Sequence, residues 1–143
     1  MNGETEAALG SPVVLVVDDN AADVDLTHEA LADARPDVEM HEAATGSDAL
    51  AFLRGPDGAR VRLVLLDLNL PRVHGFDVLS ALRALPELRA LPVVVMTTSD
   101  ADDDARRAAA LAANAFLRKP IGFVEYSAMV RALLARWLPL VES

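Results

Sequence analysis

Uninterrupted runs of aliphatic residues mark three places along the chain. They cover residues 13–17, 63–66 and 93–96, and polar residues follow each run at once. A continuous apolar run of this length is typical of a parallel strand that is buried on both faces. Two weaker segments, residues 38–43 and 115–119, indicate a second and a fifth strand. The pattern therefore predicts five strands.

Segments with helical spacing separate these strands. Over residues 21–34, Val24, Thr27 and Leu31 recur at the spacing of one helix face, and Pro36 stops the helix. Further helices are predicted over residues 48–54, 76–85, 102–112 and 122–138. Because strands and helices alternate five times, we predict an α/β fold: a doubly wound five-stranded parallel sheet with helices on both faces.

The last predicted helix is apolar nearly all round. At about 100° per residue, one arc should pack on the sheet: Phe123, Tyr126, Val130, Leu133, Leu134 and Trp137. A second arc would face water in a monomer: Val124, Ala128, Ala132, Ala135 and Leu138. A helix with two apolar faces is expected to be buried on more than one side, which predicts a homodimer. The alternative is that alanine is simply a good helix former on an exposed face.

Composition narrows the possible functions. At 143 residues the chain has the length of one domain, predicted over residues 13–143 after a flexible polar arm at residues 1–12. Its formal net charge of −9 disfavours binding to nucleic acid phosphates. Cysteine is absent, and neither a membrane span nor a signal peptide is recognisable. We therefore expect a cytoplasmic protein that uses no thiol chemistry.

Polar side chains stand at the carboxyl ends of four predicted strands. They are Asp18 and Asp19 after the first, Asp67 after the third, Thr97 and Thr98 at the fourth, and Lys119 at the fifth. In a doubly wound sheet these ends share the edge where such folds bind ligands. Converging carboxylates repel one another without a cation, and oxygen ligands suit Mg²⁺ or Mn²⁺. A hydroxyl and an ammonium beside that metal suit a phosphoryl group, which Asp67 could accept as a nucleophile.

Each of these residues also has a simpler interpretation. The acidic pair after the first strand could cap a helix, and Asp67 could cap the turn that follows it. Either threonine could cap the next helix, and Lys119 could be an ordinary surface lysine. The occurrence of all of them together, at four strand ends, favours a functional site.

A D-x-N-x-P-x-x-x-G signature follows the third strand. Asp67, Asn69, Pro71 and Gly75 form it. Together with the acidic pair, it makes the chain resemble the receiver domains of two-component response regulators over roughly residues 13–138. The resemblance implies a (βα)5 flavodoxin-like fold with strand order 2-1-3-4-5.

Two spacings agree with this resemblance. Thr97 lies 30 residues after Asp67 (97 − 67), and Lys119 lies 52 residues after it (119 − 67). Both are usual for the family, and they favour Thr97 over Thr98 as the functional hydroxyl.

The resemblance also implies a role for each site residue. Asp67 would be the phosphoacceptor, phosphorylated by a partner histidine kinase in a reaction that needs Mg²⁺. The metal would be held by Asp18, Asp19, Asp67 and the backbone carbonyl of Asn69. Thr97 and Lys119 would bind phosphoryl oxygens. Thr97 and Phe116 would form the switch, and the peptide bond before Pro120 would be cis.

Several stretches resemble the stand-alone receivers that partner bacterial phytochrome kinases. These are D-L-N-L-P-R, V-M-T-T-S and the late Trp137. After Lys119 the remaining length is too short for a DNA-binding helix-turn-helix, so we expect signalling by protein–protein contact or phosphoryl relay. Two features depart from the family pattern. Ala112 stands where glycine is frequent, so the fourth helix could end differently, and the connection over residues 54–60 is long.

Two other functions are open at this point. A phosphohydrolase of the haloacid dehalogenase class also uses an aspartate nucleophile with Mg²⁺, but its nucleophile lies on the first strand in a D-x-D pair. Here Asp67 lies on the third strand and is followed by Asn69. A pseudo-receiver would act only as an interaction module, although every site residue is present. We predict a phosphoacceptor signalling protein rather than an enzyme.

Overall fold

Five parallel strands form one sheet at the centre of the molecule. The computed structural model describes residues 10–70, 72–98 and 102–139. The strands are β1 (Val13–Val17), β2 (Glu39–Ala43), β3 (Val61–Asp67), β4 (Val93–Thr97) and β5 (Ala115–Arg118). They pair in the order β2-β1-β3-β4-β5, with every pair parallel. The predicted fold class and strand order are confirmed.

Five helices cover the two faces of this sheet. They are α1 (Ala21–Ala34), α2 (Gly46–Arg54), α3 (Gly75–Ala84), α4 (Asp102–Ala110) and α5 (Phe123–Trp137). Helices α2, α3 and α4 contribute to one apolar cluster, and α1 and α5 contribute to the other. Among the helices in the described part of the chain, none is long and apolar enough to cross a membrane. Most of the predicted arm at residues 1–12 lies outside the described residues.

The three central strands explain the aliphatic runs. Every residue of β1 and β4 is buried, as is every residue of β3 except Arg62. Alternate residues of β1 enter opposite clusters, with Leu15 on one face and Val16 on the other. Burying a side chain such as Leu15 stabilises the fold by about 2 kcal/mol. Strands β2 and β5 are at the edges and are partly exposed, which is why their sequence patterns are weaker.

Capping side chains fix the starts of α1 and α2. The side chain of Asn20 accepts a hydrogen bond from the backbone N–H of Asp23 at 3.1 Å, so α1 begins at the predicted residue. The Thr45 side chain caps α2 in the same way, which moves the start of that helix to Gly46 rather than the predicted residue 48. Such caps satisfy N–H groups that have no partner within the helix.

Helix α4 ends in a left-handed residue although that residue is not glycine. Ala112 has φ 67°. The N–H of Ala113 bonds to the carbonyl of Ala108 at 2.9 Å, and the N–H of Ala112 bonds to that of Ala109 at 3.0 Å. This pair of bonds is the Schellman motif. The helix therefore ends in a left-handed cap although the residue there is alanine, and the expectation of a different ending is wrong.

Helical spacing describes the middle of α5 but not its ends. Tyr126, Val130, Leu133 and Leu134 are buried as predicted. Phe123, however, is 53% exposed, which contradicts its place on the inner arc. Leu138, predicted to face solvent, is buried. It follows the last helical residue with φ −140°, so the chain has left the helical path and the 100° rule no longer applies.

Candidate functional site

Three carboxylates meet at the carboxyl edge of the sheet. Strands β1 and β3 are neighbours, with Val17 opposite Leu66, so the next residues, Asp18 and Asp67, emerge side by side. An oxygen from each of these two and one from Asp19 all lie within 4.8 Å of one another. Asp18 and Asp67 are buried, whereas Asp19 is exposed. The structure therefore brings together the predicted acidic group.

Lys119 reaches this group from the end of the edge strand β5. Its backbone N–H donates to the carbonyl of Thr97 at 2.7 Å, which fixes the residue just after β5. Its ammonium donates to Asp18 at 2.8 Å and to Asp67 at 3.1 Å. The side chain is only 4% exposed. The surface-lysine interpretation is therefore wrong.

A further acidic residue belongs to the site. Asp23 lies in the first turn of α1, and its carboxylate accepts a hydrogen bond from the Lys119 ammonium at 2.8 Å. In the sequence, Asp23 is an ordinary residue of the predicted helix over residues 21–34. An acid in the first turn of a helix is common because it complements the helix dipole, so the sequence offers no separate signal for it.

Burial and charge act against each other in this cluster. Burial raises the pKa of Asp18 to about 6, although hydrogen bonds from Lys119 and from the Asn20 backbone pull it the other way. Burial alone would lower the pKa of Lys119, but its hydrogen bonds to Asp18 and Asp23 outweigh that effect and raise it. Lys119 is therefore a cation at neutral pH. One ammonium does not neutralise four carboxylates, which leaves the site with a negative charge suited to a divalent cation.

The loop after β3 is folded tightly around Asp67. One Asp67 oxygen accepts a hydrogen bond from the Asn69 N–H at 3.0 Å. The Gly75 N–H bonds to the carbonyl of Leu68 at 2.9 Å, and a Cβ at residue 75 would lie 2.6 Å from the Asp67 carbonyl oxygen. Only glycine allows this approach. Pro71 of the same signature lies outside the described residues.

The hydroxyl and aromatic residues lie on the strands beside Asp67. Thr97 is the last residue of β4 and is fully buried, whereas Thr98 is exposed. Phe116 of β5 pairs in register with Val95 and is half-buried against the apolar cluster of α2, α3 and α4. Thr97 is therefore the buried hydroxyl because it is the last strand residue, whereas Thr98 lies beyond the strand; this agrees with the spacing from Asp67.

One implied feature is absent. Among the described residues no peptide bond is cis, so the bond between Lys119 and Pro120 is trans. The expectation of a cis bond before Pro120 is wrong for this structure. Trans is the more stable form of an X–Pro bond by about 0.5–1 kcal/mol.

The donor set fits a hard divalent cation. Asp18, Asp19 and Asp67 offer carboxylate oxygens. Within the described residues, this group includes no sulfur or imidazole ligand. Oxygen donors of this kind favour Mg²⁺ or Mn²⁺ over softer metals.

Comparison with known proteins gives one consistent result. Residues 14–131 match the model of the response regulator receiver domain. The probable methanogenesis regulatory protein FilR2 of Methanothrix harundinacea is 39% identical over 129 residues, which cover 88% of this chain and 83% of that protein. The response regulator Rcp1 of Synechocystis is 36% identical over 133 residues, 90% of each chain.

Solved structures agree with these relatives. The Mn²⁺-bound form of Rcp1 superposes with a TM-score of 0.81 at 36% identity, covering 92% of this chain and 97% of that one. The phosphorylated cyanobacterial phytochrome response regulator RcpA superposes with a TM-score of 0.83 at 34% identity, covering 90% and 95%.

Proposed function

This chain belongs to the family of response regulator receiver domains, and we propose that it accepts a phosphoryl group on Asp67 from a partner histidine kinase. The observation that carries the proposal is the pairing of the Asp67 carboxylate with a buried ammonium, 3.1 Å from Lys119, beside the oxygens of Asp18 and Asp19. That arrangement suits a nucleophile whose product carries extra negative charge.

The residues would divide the chemistry among them. A carboxylate oxygen of Asp67 attacks phosphorus, and the bond from phosphorus to the donor imidazole breaks, with its electron pair leaving on the imidazole nitrogen. The Lys119 ammonium would neutralise charge on the phosphoryl oxygens. Mg²⁺, held by Asp18, Asp19, Asp67 and the backbone carbonyl of Asn69, would supply the remaining positive charge.

The switch would act through β4 and β5. In the phosphorylated form the Thr97 hydroxyl would bond a phosphoryl oxygen and move toward Asp67. The side chain of Phe116 would then turn inward into the space so vacated. Its half-buried position, against the apolar cluster of α2, α3 and α4, supports this role. The output would be a protein–protein contact rather than catalysis.

The partner would be a kinase of the bacterial phytochrome class. Support comes from RcpA, which is described as a phytochrome response regulator and covers 90% of this chain. A histidine kinase makes its phosphohistidine from ATP, so the reaction would take place in the cytoplasm. The net charge of −9 makes nucleic acid an unsuitable partner.

A homodimer through α5 is the second element of this proposal. Val124 is 73% exposed, and Ala128, Ala132 and Ala135 are exposed beside it. Small side chains on one helix face let a second helix approach closely. Leu138 no longer belongs to this surface because it is buried.

The decisive experiment is labelling with phosphoramidate and Mg²⁺. We expect one equivalent of acid-stable, hydroxylamine-sensitive phosphate on the wild type and none on Asp67→Asn, because an amide is a poor nucleophile toward phosphorus. Steady turnover of p-nitrophenyl phosphate would indicate a phosphohydrolase instead. A wild type that takes no label would indicate a pseudo-receiver.

A further inference from the structure

Lys119 has three N–H donors, and three carboxylates accept them. They belong to Asp18, Asp23 and Asp67, at 2.8, 2.8 and 3.1 Å. Under the proposed function, on which this inference rests, two of these partners change during phosphorylation. An oxygen of Asp67 would become bonded to phosphorus, and Asp18 would hold the cation. Asp23 does neither, since it lies outside the group of acids that could hold a metal ion.

The position of Asp23 is itself held firmly. Its N–H is bonded by the Asn20 side chain at 3.1 Å, and its carbonyl accepts the Thr27 hydroxyl at 2.8 Å. That hydroxyl also lies 3.0 Å from the Tyr126 hydroxyl of α5. Thr27 and Tyr126 are both buried. The turn that carries Asp23 is thus tied to α5 on one side, and its cap, Asn20, also donates a backbone hydrogen bond to Asp18 at 2.9 Å.

The Asp23 side chain is partly exposed to solvent and partly covered where it bonds the Lys119 ammonium. It is 21% exposed, against 2% for Asp18 and 7% for Asp67. A more hydrated carboxylate keeps its charge at lower cost, and its hydrogen bond to an ammonium is still charge-assisted.

We propose that Asp23 is a positioning residue that anchors the Lys119 ammonium throughout the phosphorylation cycle. With Asp23 present, one donor of Lys119 stays on α1, and the other two can move from Asp18 and Asp67 to the phosphoryl oxygens. Without it, the ammonium turns fully to Asp18 and Asp67. There it competes with the divalent cation for the same oxygens and shields the nucleophile.

Two measurements on Asp23→Ala test this inference. The first is the second-order rate of phosphorylation by phosphoramidate with Mg²⁺, which should fall by about tenfold, the usual scale of one lost charge-assisted bond. The second is Mn²⁺ affinity followed by electron paramagnetic resonance without any phosphodonor, which should also fall. Asp23→Glu should recover part of both. Asp25→Ala is the matched control, because Asp25 is an exposed acid on the same helix; it should stay close to wild type.

A double-mutant cycle with Lys119→Gln shows whether Asp23 acts through Lys119. In the Lys119→Gln background, Asp23→Ala should change the Mn²⁺ affinity no more than Asp25→Ala does. Two results would overturn the inference. In the first, Asp23→Ala has no larger effect than Asp25→Ala when Lys119 is present. In the second, Asp23→Ala lowers the Mn²⁺ affinity as much in the Lys119→Gln background as it does when Lys119 is present. If the wild type takes no label at all, the proposed function fails, while the Mn²⁺ measurements still decide the role of Asp23.

Discussion

The guanidinium of Arg83 donates two hydrogen bonds to the carbonyl oxygen of Ala112, at 2.9 and 3.1 Å. The residue that ends α4 in a left-handed conformation is therefore held by a side chain from the end of α3. Arg83 also bonds the carbonyls of Leu88 and Leu91 and the side chain of Asn114. One arginine thus joins the segments that flank β4, and this tertiary contact accounts for a conformation that alanine alone disfavours.

Replacing Ala112 with glycine should stabilise the protein. Glycine adopts a positive φ without the Cβ penalty, so the free energy of unfolding should rise by about 0.5–1 kcal/mol. Urea denaturation measures this. Ala109→Gly is the control: it lies within the exposed part of α4 and should lose about as much stability. A loss of stability in Ala112→Gly would show that the left-handed conformation of this residue is not costly.

Removing the Arg83 side chain should be strongly destabilising. Arg83→Ala would leave several carbonyl oxygens without their donor, which should lower the free energy of unfolding by about 2–4 kcal/mol. Arg83→Lys keeps the charge but lacks the planar fork of five donors, so it should recover less than half of the loss. Guanidinium denaturation of the three proteins provides the measurement. Full recovery by lysine would mean that charge, rather than hydrogen-bond geometry, holds these segments together.

The buried hydroxyl of β4 should couple phosphorylation to Phe116. Thr97→Ala should still accept phosphate, whereas the side chain of Phe116 should no longer move. Fluorophenylalanine NMR of the Phe116 signal, before and after phosphoramidate, reports this directly. Thr98→Ala is the natural control because Thr98 is exposed. If the Thr98 variant loses the response and the Thr97 variant keeps it, the assignment of the hydroxyl is wrong.

The stability of the metal-free protein should depend on pH through Asp18. Burial raises the pKa of this carboxyl from 3.8 to about 6 in the folded state. The folded protein therefore binds the proton more tightly than the unfolded chain, and stability from this group is present below pH 4 and lost as pH rises toward 6. The loss is at most about 3 kcal/mol, since one pKa unit corresponds to about 1.4 kcal/mol.

Asp18→Asn isolates this contribution. The variant should be more stable than wild type at pH 7 without metal, and the difference should vanish near pH 4. Thermal unfolding at a series of pH values measures it. A variant that is less stable than wild type at pH 7 would mean that the bond to Lys119 outweighs the cost of burying the charge.

The exposed face of α5 should determine the oligomeric state. If two copies associate there, Ala132→Glu should convert a dimer into a monomer in sedimentation at tens of micromolar. Ala51→Glu, at an exposed position of α2 on the other face of the sheet, should leave the dimer intact. Leu138→Glu is unsuitable because that side chain is buried and its replacement would disturb the fold. A wild type that sediments as a monomer, phosphorylated or not, would assign this face to a different partner.

Local sequence predicted most of the architecture. Continuous aliphatic runs identified β1, β3 and β4, because the part of a strand that is buried on both faces is mostly apolar. The start of α2 was less accurate: Thr45 caps this helix, which begins at Gly46, two residues before the predicted residue 48.

The residues of the site also differ in whether the sequence could reveal them. Asp18, Asp67 and Lys119 could be recognised because each stands at the carboxyl end of a strand, and parallel strands end at one edge of the sheet. Asp23 could not, because it lies in the first turn of a helix rather than at a strand end, and an acid is common there. The left-handed Ala112 and the buried Leu138 likewise depend on contacts with distant segments, Arg83 for the one and the α1–α5 core for the other. The sequence alone determines the strands and helices, through their hydrophobic patterns, and the residues at the strand ends, through the order of the strands. Only the tertiary structure decides the contacts of residues elsewhere in the chain, because those contacts depend on packing across the whole fold.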